Sequence, residues 1–197
     1  FDFDGKNMIS NIPLNGYTLS NPIPALAPNS WYNAKDFVGL PSNVTTVNDQ
    51  GSNNKDGVKI GTGNITIGSI NGVDSFNFGA ANTNKGFSTG LINASNLMNL
   101  GGMTIIAVVK PNNAVNSFQS IFTYSNNFDA LIFSFNPSNG NVEGVIGKSG
   151  NVFTLSGNSP SIAAGKPTVL SWAKSNSGNS YLYENKVQIN PNGQTQI

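Results

Sequence analysis

The stretch that decides the fold is "GGMTIIAVVKPNN", residues 101–113. Its centre, residues 103–109, carries mostly aliphatic side chains and no charge, and it lies between a double glycine and Pro111. A short run rich in β-branched residues and bounded by glycine and proline predicts a β-strand. Because apolar and polar residues do not alternate along it, we expect a strand that is covered on both faces and lies in the centre of its sheet.

The composition favours many turns over long helices. Glycine (22 residues) and proline (10 residues) are frequent and asparagine is abundant, and these residues supply the φ angles that tight turns need. Only 10% of residues are charged, so neutral polar groups must keep the surface in water. A length of 197 residues allows one well-buried domain with an additional arm.

Short apolar segments recur along the chain, each closed by Gly, Asn, Asp or Pro, at intervals of about ten residues. We predict strands at residues 43–47, 57–60, 64–70, 74–78, 103–110, 119–124, 130–135, 141–147, 151–155, 167–174, 180–185 and 186–189. This pattern predicts an all-β fold, a two-sheet antiparallel sandwich of jelly-roll type. A single short helix is predicted over 93–102.

Two turns predict hairpins. Asn71-Gly72 separates two apolar segments, and Asn-Gly is the preferred pair for a type I′ turn because both residues need a positive φ. Asn139-Gly140 occupies a similar position in a longer loop. The two segments that flank each turn are therefore expected to pair with each other as antiparallel strands.

The alternation within "ALIFSF" (130–135) predicts which side chains are buried. Leu131, Phe133 and Phe135 share one face of a strand with this sequence, so we expect them in the core. Trp172 lies within an apolar segment, and we expect it, like Trp31, to be a core residue rather than a ligand platform.

The N-terminal 29 residues differ from the rest. Pro13, Pro22, Pro24 and Pro28 disfavour a helix and a central strand. We therefore predict an extended, proline-rich arm or linker over 1–29 and a β-sandwich domain over 30–197. Because the chain begins with Phe1, we expect it to be part of a longer or processed protein.

Charge and hydropathy argue against two classes of partner. Ten lysines oppose nine acidic residues and arginine is absent, so the net charge of +1 gives no field for nucleic acid. No segment approaches the roughly 20 apolar residues of a membrane-spanning helix, so membrane insertion is not expected.

The sequence does not favour catalysis. Histidine and cysteine are absent, which excludes Ser-His and Cys-His nucleophiles and the usual zinc sites. The only glutamates, Glu143 and Glu184, lie on separate predicted strands, whereas glycosidases need a close carboxylate pair. Asp2 and Asp4 are two residues apart, so on a strand both side chains would lie on one face. They are the candidate carboxylate pair for the disfavoured alternative, a glycoside hydrolase.

Two segments are candidate binding sites. The loop at 123–130 offers an aromatic and polar set suited to sugar hydroxyls, namely Tyr124, Asn126, Asn127, Phe128 and Asp129. A second segment has closely spaced oxygen donors suited to Ca²⁺, namely Asp49, Asn53, Asn54 and Asp56. For the second segment the preferred interpretation is a turn whose side chains bond their own backbone, with Ca²⁺ as the alternative cofactor.

Several segments, taken in order, resemble the concanavalin A-like, laminin G-type jelly-roll domains. They are "SWYNAKDF" (30–37), "VNDQGSNNKDG" (47–57), "INGVDSFNFGA" (70–80), "MTIIAVVKPNN" (103–113) and "PTVLSWAKSNSGNSYLYENKVQ" (167–188). The last resembles the family's Trp-to-Tyr-x-Asn-Gly hairpin, with Lys186 in place of the turn glycine. The family often closes with a Phe-x-Gly-x-Ile-x-Glu strand that does not occur before Ile197, so that strand is expected from the "FDFDG" arm or beyond residue 197.

The resemblance implies a function. Domains of this type occur in phage virion proteins, which implies a non-enzymatic surface module of a fibre, spike or head decoration, located on the virion surface. Host-surface glycans and other copies of structural proteins are the implied partners. The alternative is a carbohydrate-binding or adhesive domain of a secreted bacterial protein, located outside the cell or on its surface.

Overall fold

The computed structural model describes residues 2–3, 8–9, 28–79, 85–89, 102–111, 118–126, 129–148, 151–175, 178–190 and 194–195. Nearly all of its regular structure is β-strand, and every strand pair is antiparallel. The chain forms two compact units, unit 1 over Phe1–Leu91 and unit 2 over Ile92–Ile197. The predicted boundary after residue 29 stays a prediction.

Unit 1 contains eight described strands. They are β1 (Asp2–Phe3), β2 (Met8–Ile9), β3 (Tyr32–Leu40), β4 (Asn43–Asp49), β5 (Gly57–Ile60), β6 (Thr66–Ile70), β7 (Val73–Asn77) and β8 (Gly86–Ser88). The largest sheet has the order β3-β4-β5-β8, while β1-β2 and β6-β7 form two-stranded sheets. Val44, Val47 and Ile65 are fully buried in this unit.

Unit 2 contains nine described strands and one short helix. They are β9 (Met103–Val109), β10 (Gln119–Asn126), β11 (Asp129–Phe135), β12 (Asn141–Lys148), β13 (Asn151–Asn158), α1 (Pro160–Ala163), β14 (Thr168–Lys174), β15 (Asn179–Glu184), β16 (Val187–Gln188) and β17 (Gln194–Thr195). One sheet is the meander β10-β11-β12-β13. The other has the order β16-β15-β14-β9, and β17 also pairs with β15.

The twelve predicted strand segments are confirmed, each by a strand that overlaps it. The Asn71-Gly72 turn joins β6 to β7 with φ angles of 52° and 80°, as a type I′ turn requires. The Asn139-Gly140 hairpin between β11 and β12 is also confirmed. The predicted helix over 93–102 falls almost entirely outside the described residues.

The predicted central position of the opening stretch is wrong. In the described residues β9 pairs only with β14, so it ends the strand path of its sheet. Met103, Ile105 and Val109 pack against the core of unit 2, but Ile106 is 62% exposed. The error arises because an unbroken apolar run makes both faces of the strand suitable for burial. Only the packing of neighbouring layers decides which face is covered.

Burial elsewhere in unit 2 follows the prediction. Leu131, Phe133 and Phe135 on β11 are buried, and Trp172 on β14 is fully buried, so all four expectations are confirmed. Trp31 of unit 1 is half-buried.

Trp172 joins the two sheets of unit 2. Its ring lies 6.0 Å from the ring of Phe133 on the facing sheet, with 51° between the two planes. The indole also lies directly on the backbone of β12, because a Cβ added to Gly144 would stand 2.8 Å from it. The two sheets therefore share one core, which includes Leu131, Leu155, Ile162, Leu170 and Leu182.

Among the described residues, no helix has both the length and the apolar character needed to cross a membrane.

We predict that Gly144→Ala destabilises the protein, because the new methyl group overlaps the indole of Trp172. The free energy of unfolding should fall by about 1–3 kcal/mol, measured by urea unfolding followed by tryptophan fluorescence. Gly147→Ala is the matched control on the same strand, since its Cβ would meet the Cβ of Ala130 at an ordinary 3.4 Å. Equal losses in the two variants would contradict the packing described here.

Candidate functional site

The predicted sugar-binding segment forms the tip of the β10-β11 hairpin. Asn126 on β10 pairs with Asp129 on β11, which brings the backbone of both ends of the segment together. Tyr124 pairs with Leu131 and its half-buried ring packs against the core of unit 2. Asn127 and Phe128 lie outside the described residues, as do the side chains of Asn126 and Asp129. Glycan contact at this tip therefore stays a prediction.

The predicted calcium segment is organised around Asp49, which is only 6% exposed. One carboxylate oxygen, Oδ1, accepts hydrogen bonds from the backbone N–H groups of Trp31 and Gly51, each at 2.8 Å. The other, Oδ2, accepts from the N–H of Lys55 at 3.1 Å. Asp49 thus ties the chain before β3 to the loop between β4 and β5.

Further hydrogen bonds join the same two segments. The N–H of Gln50 donates to the carbonyl of Trp31 at 2.8 Å, and the N–H of Asn53 donates to the carbonyl of Asn29 at 2.8 Å. The Asn53 amide also donates to Ser30 Oγ at 3.1 Å. The phenol of Tyr32 donates to the carbonyl of Lys55 at 2.7 Å.

The hydrogen-bond donors determine the protonation of Asp49. Burial by itself would raise the pKa of its carboxyl, but the N–H groups of Trp31, Lys55 and Gly51 and the hydroxyl of Ser30 outweigh burial and lower the pKa. The pKa of Tyr32 is raised, first by burial and then by the negative charge of Asp49. Asp49 is therefore a fixed anion at neutral pH.

These contacts match the turn interpretation of the segment. Both oxygens of Asp49 are engaged by backbone donors, and one oxygen of Asp56 accepts from the N–H of Asp49 at 2.9 Å. Asn54 adopts a φ of 50°, as turn asparagines do. No cluster of three or more acidic side chains suited to a metal occurs in the described part of the chain. Ca²⁺ binding here stays a prediction.

The two glutamates lie on different sheets of unit 2. Glu143 is on β12, between the buried neighbours Val142 and Gly144, so it projects from the opposite face to the core. Glu184 ends β15 and is only 8% exposed. The structure does not bring them together as a catalytic pair. Of the pair Asp2 and Asp4, Asp2 lies on β1 and Asp4 is outside the described residues.

An open groove of about 450 Å³ lies beside Glu184. Its lining comes from the end of β13, the start of α1 and the β15-β16 hairpin: Asn158, Pro160, Glu184, Asn185, Val187, Gln188 and Ile189. One oxygen of Glu184 accepts from the N–H of Ser161 at 3.2 Å. Two of the amides are held by the backbone, because Asn185 Oδ1 accepts from the N–H of Val169 at 3.0 Å and Gln188 Nε2 donates to the carbonyl of Asn190 at 2.8 Å.

The turn at the rim of this groove is strained. Glu184 pairs with Val187, so Asn185 and Lys186 form a two-residue turn with φ angles of 47° and 76°. These angles are close to those of Asn71-Gly72, but here lysine occupies the second position, where glycine is favoured. Strained backbone of this kind is frequent at functional sites.

Sequence reasoning missed the groove as a site. Its polar side chains come from residues 158, 184, 185 and 188, which lie on three elements and form no motif. The one local signal is Lys186 in place of a turn glycine in "YLYENKVQ".

Comparison with protein-family models, with curated proteins and with solved structures gives no match to this chain.

We predict that the stability of unit 1 depends on the ionised form of Asp49. Because its folded pKa lies below the ordinary aspartate value of about 3.9, the unfolded chain binds more protons in the interval between the two values. The free energy of unfolding should therefore fall as the pH is lowered through that interval. Asp49→Asn should remove about 1–3 kcal/mol at pH 7 and flatten this decline, measured by urea unfolding at several pH values. Asp74→Asn, at an exposed position of β7, is the control and should leave the decline unchanged.

We predict that Lys186→Gly stabilises unit 2, because glycine adopts a positive φ without the steric cost that a Cβ imposes. The gain should be about 1 kcal/mol, measured by thermal and urea unfolding. Lys186→Ala is the control, since alanine keeps the Cβ and should give no such gain. A lysine-to-glycine variant no more stable than the alanine variant would show that the turn holds no strain.

Proposed function

We propose that the chain is a non-enzymatic surface module with a concanavalin A-like jelly-roll sandwich, carried by a virion fibre, spike or head decoration, and that it contacts glycans. The observation that carries the proposal is the arrangement of unit 2. Two antiparallel sheets share one core around Trp172, while Glu143 and Glu184 diverge on separate sheets. A two-layer β-unit whose two glutamates lie on separate sheets suits recognition rather than glycan hydrolysis.

The strand connections support the jelly-roll part of the proposal. The chain leaves the five-stranded sheet after β9, builds the four-stranded meander, and returns so that β14 pairs with β9. Such a non-local pairing between strands that flank a meander is typical of Greek-key and jelly-roll folds. The exposed face of β9 gives the proposal no support, and the proposal rests on the Trp172 core and on this connection.

The neutral surface supports glycans as the ligand class. A net charge of +1 with 10% charged residues provides little attraction for polyanions, whereas amide side chains donate and accept hydrogen bonds as sugar hydroxyls require. The virion location follows from the family resemblance of the motifs at 30–37, 47–57, 70–80, 103–113 and 167–188. A secreted bacterial adhesin would show the same ligand chemistry.

We predict that the protein binds neutral oligosaccharides on a glycan array and that Asn127→Ala, which changes one of the contact residues predicted from sequence, weakens binding by the 124–129 segment at least tenfold in titration calorimetry. The loss should follow because an amide that bonds sugar hydroxyls is removed. Asn64→Ala, at an exposed position of unit 1, is the control and should bind as the wild type does. Absence of any glycan binding would contradict the recognition role, and release of reducing sugar from a bound glycan would contradict the non-enzymatic one.

A further inference from the structure

Glu184 is a nearly buried carboxylate with few partners. The hydrogen bond from the N–H of Ser161 is the one that the described residues give its carboxylate. Among those residues, Trp172 Nε1 is the only fully buried side-chain polar atom without a partner, so the second oxygen of Glu184, a residue that lines the groove, is not fully buried. A carboxylate this buried has lost hydration, so a hydrogen-bond donor that reaches it stabilises it.

The amides beside Glu184 are already positioned. The Oδ1 of Asn185, a residue that lines the groove, accepts from the N–H of Val169, which leaves its Nδ2 available as a donor. The Nε2 of Gln188 is engaged with Asn190, which leaves its Oε1 as an acceptor. Donor and acceptor are thus held by backbone hydrogen bonds, so a ligand does not have to order them.

The remaining lining is apolar. Pro160, Val187 and Ile189 line the groove, and Val187 is 66% exposed. A small apolar surface next to fixed hydrogen-bonding groups fits a ligand with both C–H faces and hydroxyl edges.

The charge of the groove selects among ligands. Glu184 is the charged side chain among the lining residues, so the lining gives phosphate, sulfate and carboxylate ligands no cationic partner. A hydroxyl group both donates to a carboxylate and accepts from an amide N–H, and it therefore satisfies Glu184 and Asn185 without a charge of its own.

We propose that this groove is a saccharide-binding site, in which Glu184 and Gln188 accept hydrogen bonds from the hydroxyls of a neutral sugar and Asn185 donates to them. This site rests on the proposed glycan-binding function and is separate from the predicted contact tip at 124–129.

The test measures binding of neutral oligosaccharides of glucose, galactose and N-acetylhexosamine by titration calorimetry and by shifts of backbone amide resonances. Glu184→Gln keeps the acceptor for Ser161 but removes the charge, and it should weaken at least tenfold the binding that shifts the amide resonances of 184–189. Gln188→Ala changes an exposed side chain and should weaken binding about threefold to tenfold. Glu143→Gln, which changes the other glutamate of the chain, is the matched control and should leave affinity unchanged. Sugar-induced shifts should include the amides of 184–189.

The other outcomes distinguish failure of the groove site from failure of the proposed function. Saccharide binding that survives Glu184→Gln and Gln188→Ala but is lost in Asn127→Ala would overturn the groove site and leave the proposed function standing. Binding of no saccharide by the wild type would overturn both. Binding of n-butylammonium in place of saccharides, lost in Glu184→Gln, would show a cation site and overturn the sugar assignment.

Discussion

The contact between the indole of Trp172 and the backbone at Gly144 is the constraint on which unit 2 depends. It brings the two sheets close enough for Phe133, Leu170 and Leu182 to share one core. Burial of a side chain this large supplies a substantial share of the apolar contact area. The indole N–H has no hydrogen-bond partner among the described residues, so its burial opposes the gain by about 1–3 kcal/mol. The ring stays buried despite this cost because it fills the space between the sheets.

Two carboxylates among the described residues are nearly buried, and the number of their hydrogen-bond donors distinguishes a structural carboxylate from a candidate binding carboxylate. Asp49 accepts three backbone N–H donors, and these contacts join two segments of unit 1. Glu184 is buried to a similar extent but receives one such donor. Hydrogen bonds already satisfy Asp49, whereas Glu184, which lines an open groove, keeps bonding capacity. Burial alone does not distinguish the two, but the count of donors does.

Asparagine serves two purposes in this chain. Asn71 and Asn185 adopt the positive φ angles that open two-residue hairpin turns, and Asn185 also places an amide in the groove. The same residue type therefore shapes the loops and supplies neutral hydrogen-bonding groups where the chain carries little charge. Lys186 follows Asn185 at the position where Gly72 follows Asn71, so the groove turn keeps a strained residue that the other hairpin avoids.

Local sequence determined twelve of the seventeen described strands, the hairpin turns and the inward face of β11, because pleat periodicity and turn chemistry act within a few residues. It did not indicate β3, whose polar residues Asn33, Lys35 and Asp36 interrupt the apolar pattern. It also misassigned β9, since composition shows that both faces of a strand are apolar but not which face a second layer covers. The carboxylate of Asp49 was identified from sequence, but its backbone donors were not. Only the tertiary structure decided the groove, because Asn158, Glu184 and Gln188 meet through the packing of β13 against the β15-β16 hairpin, and no local rule relates residues so far apart in the chain.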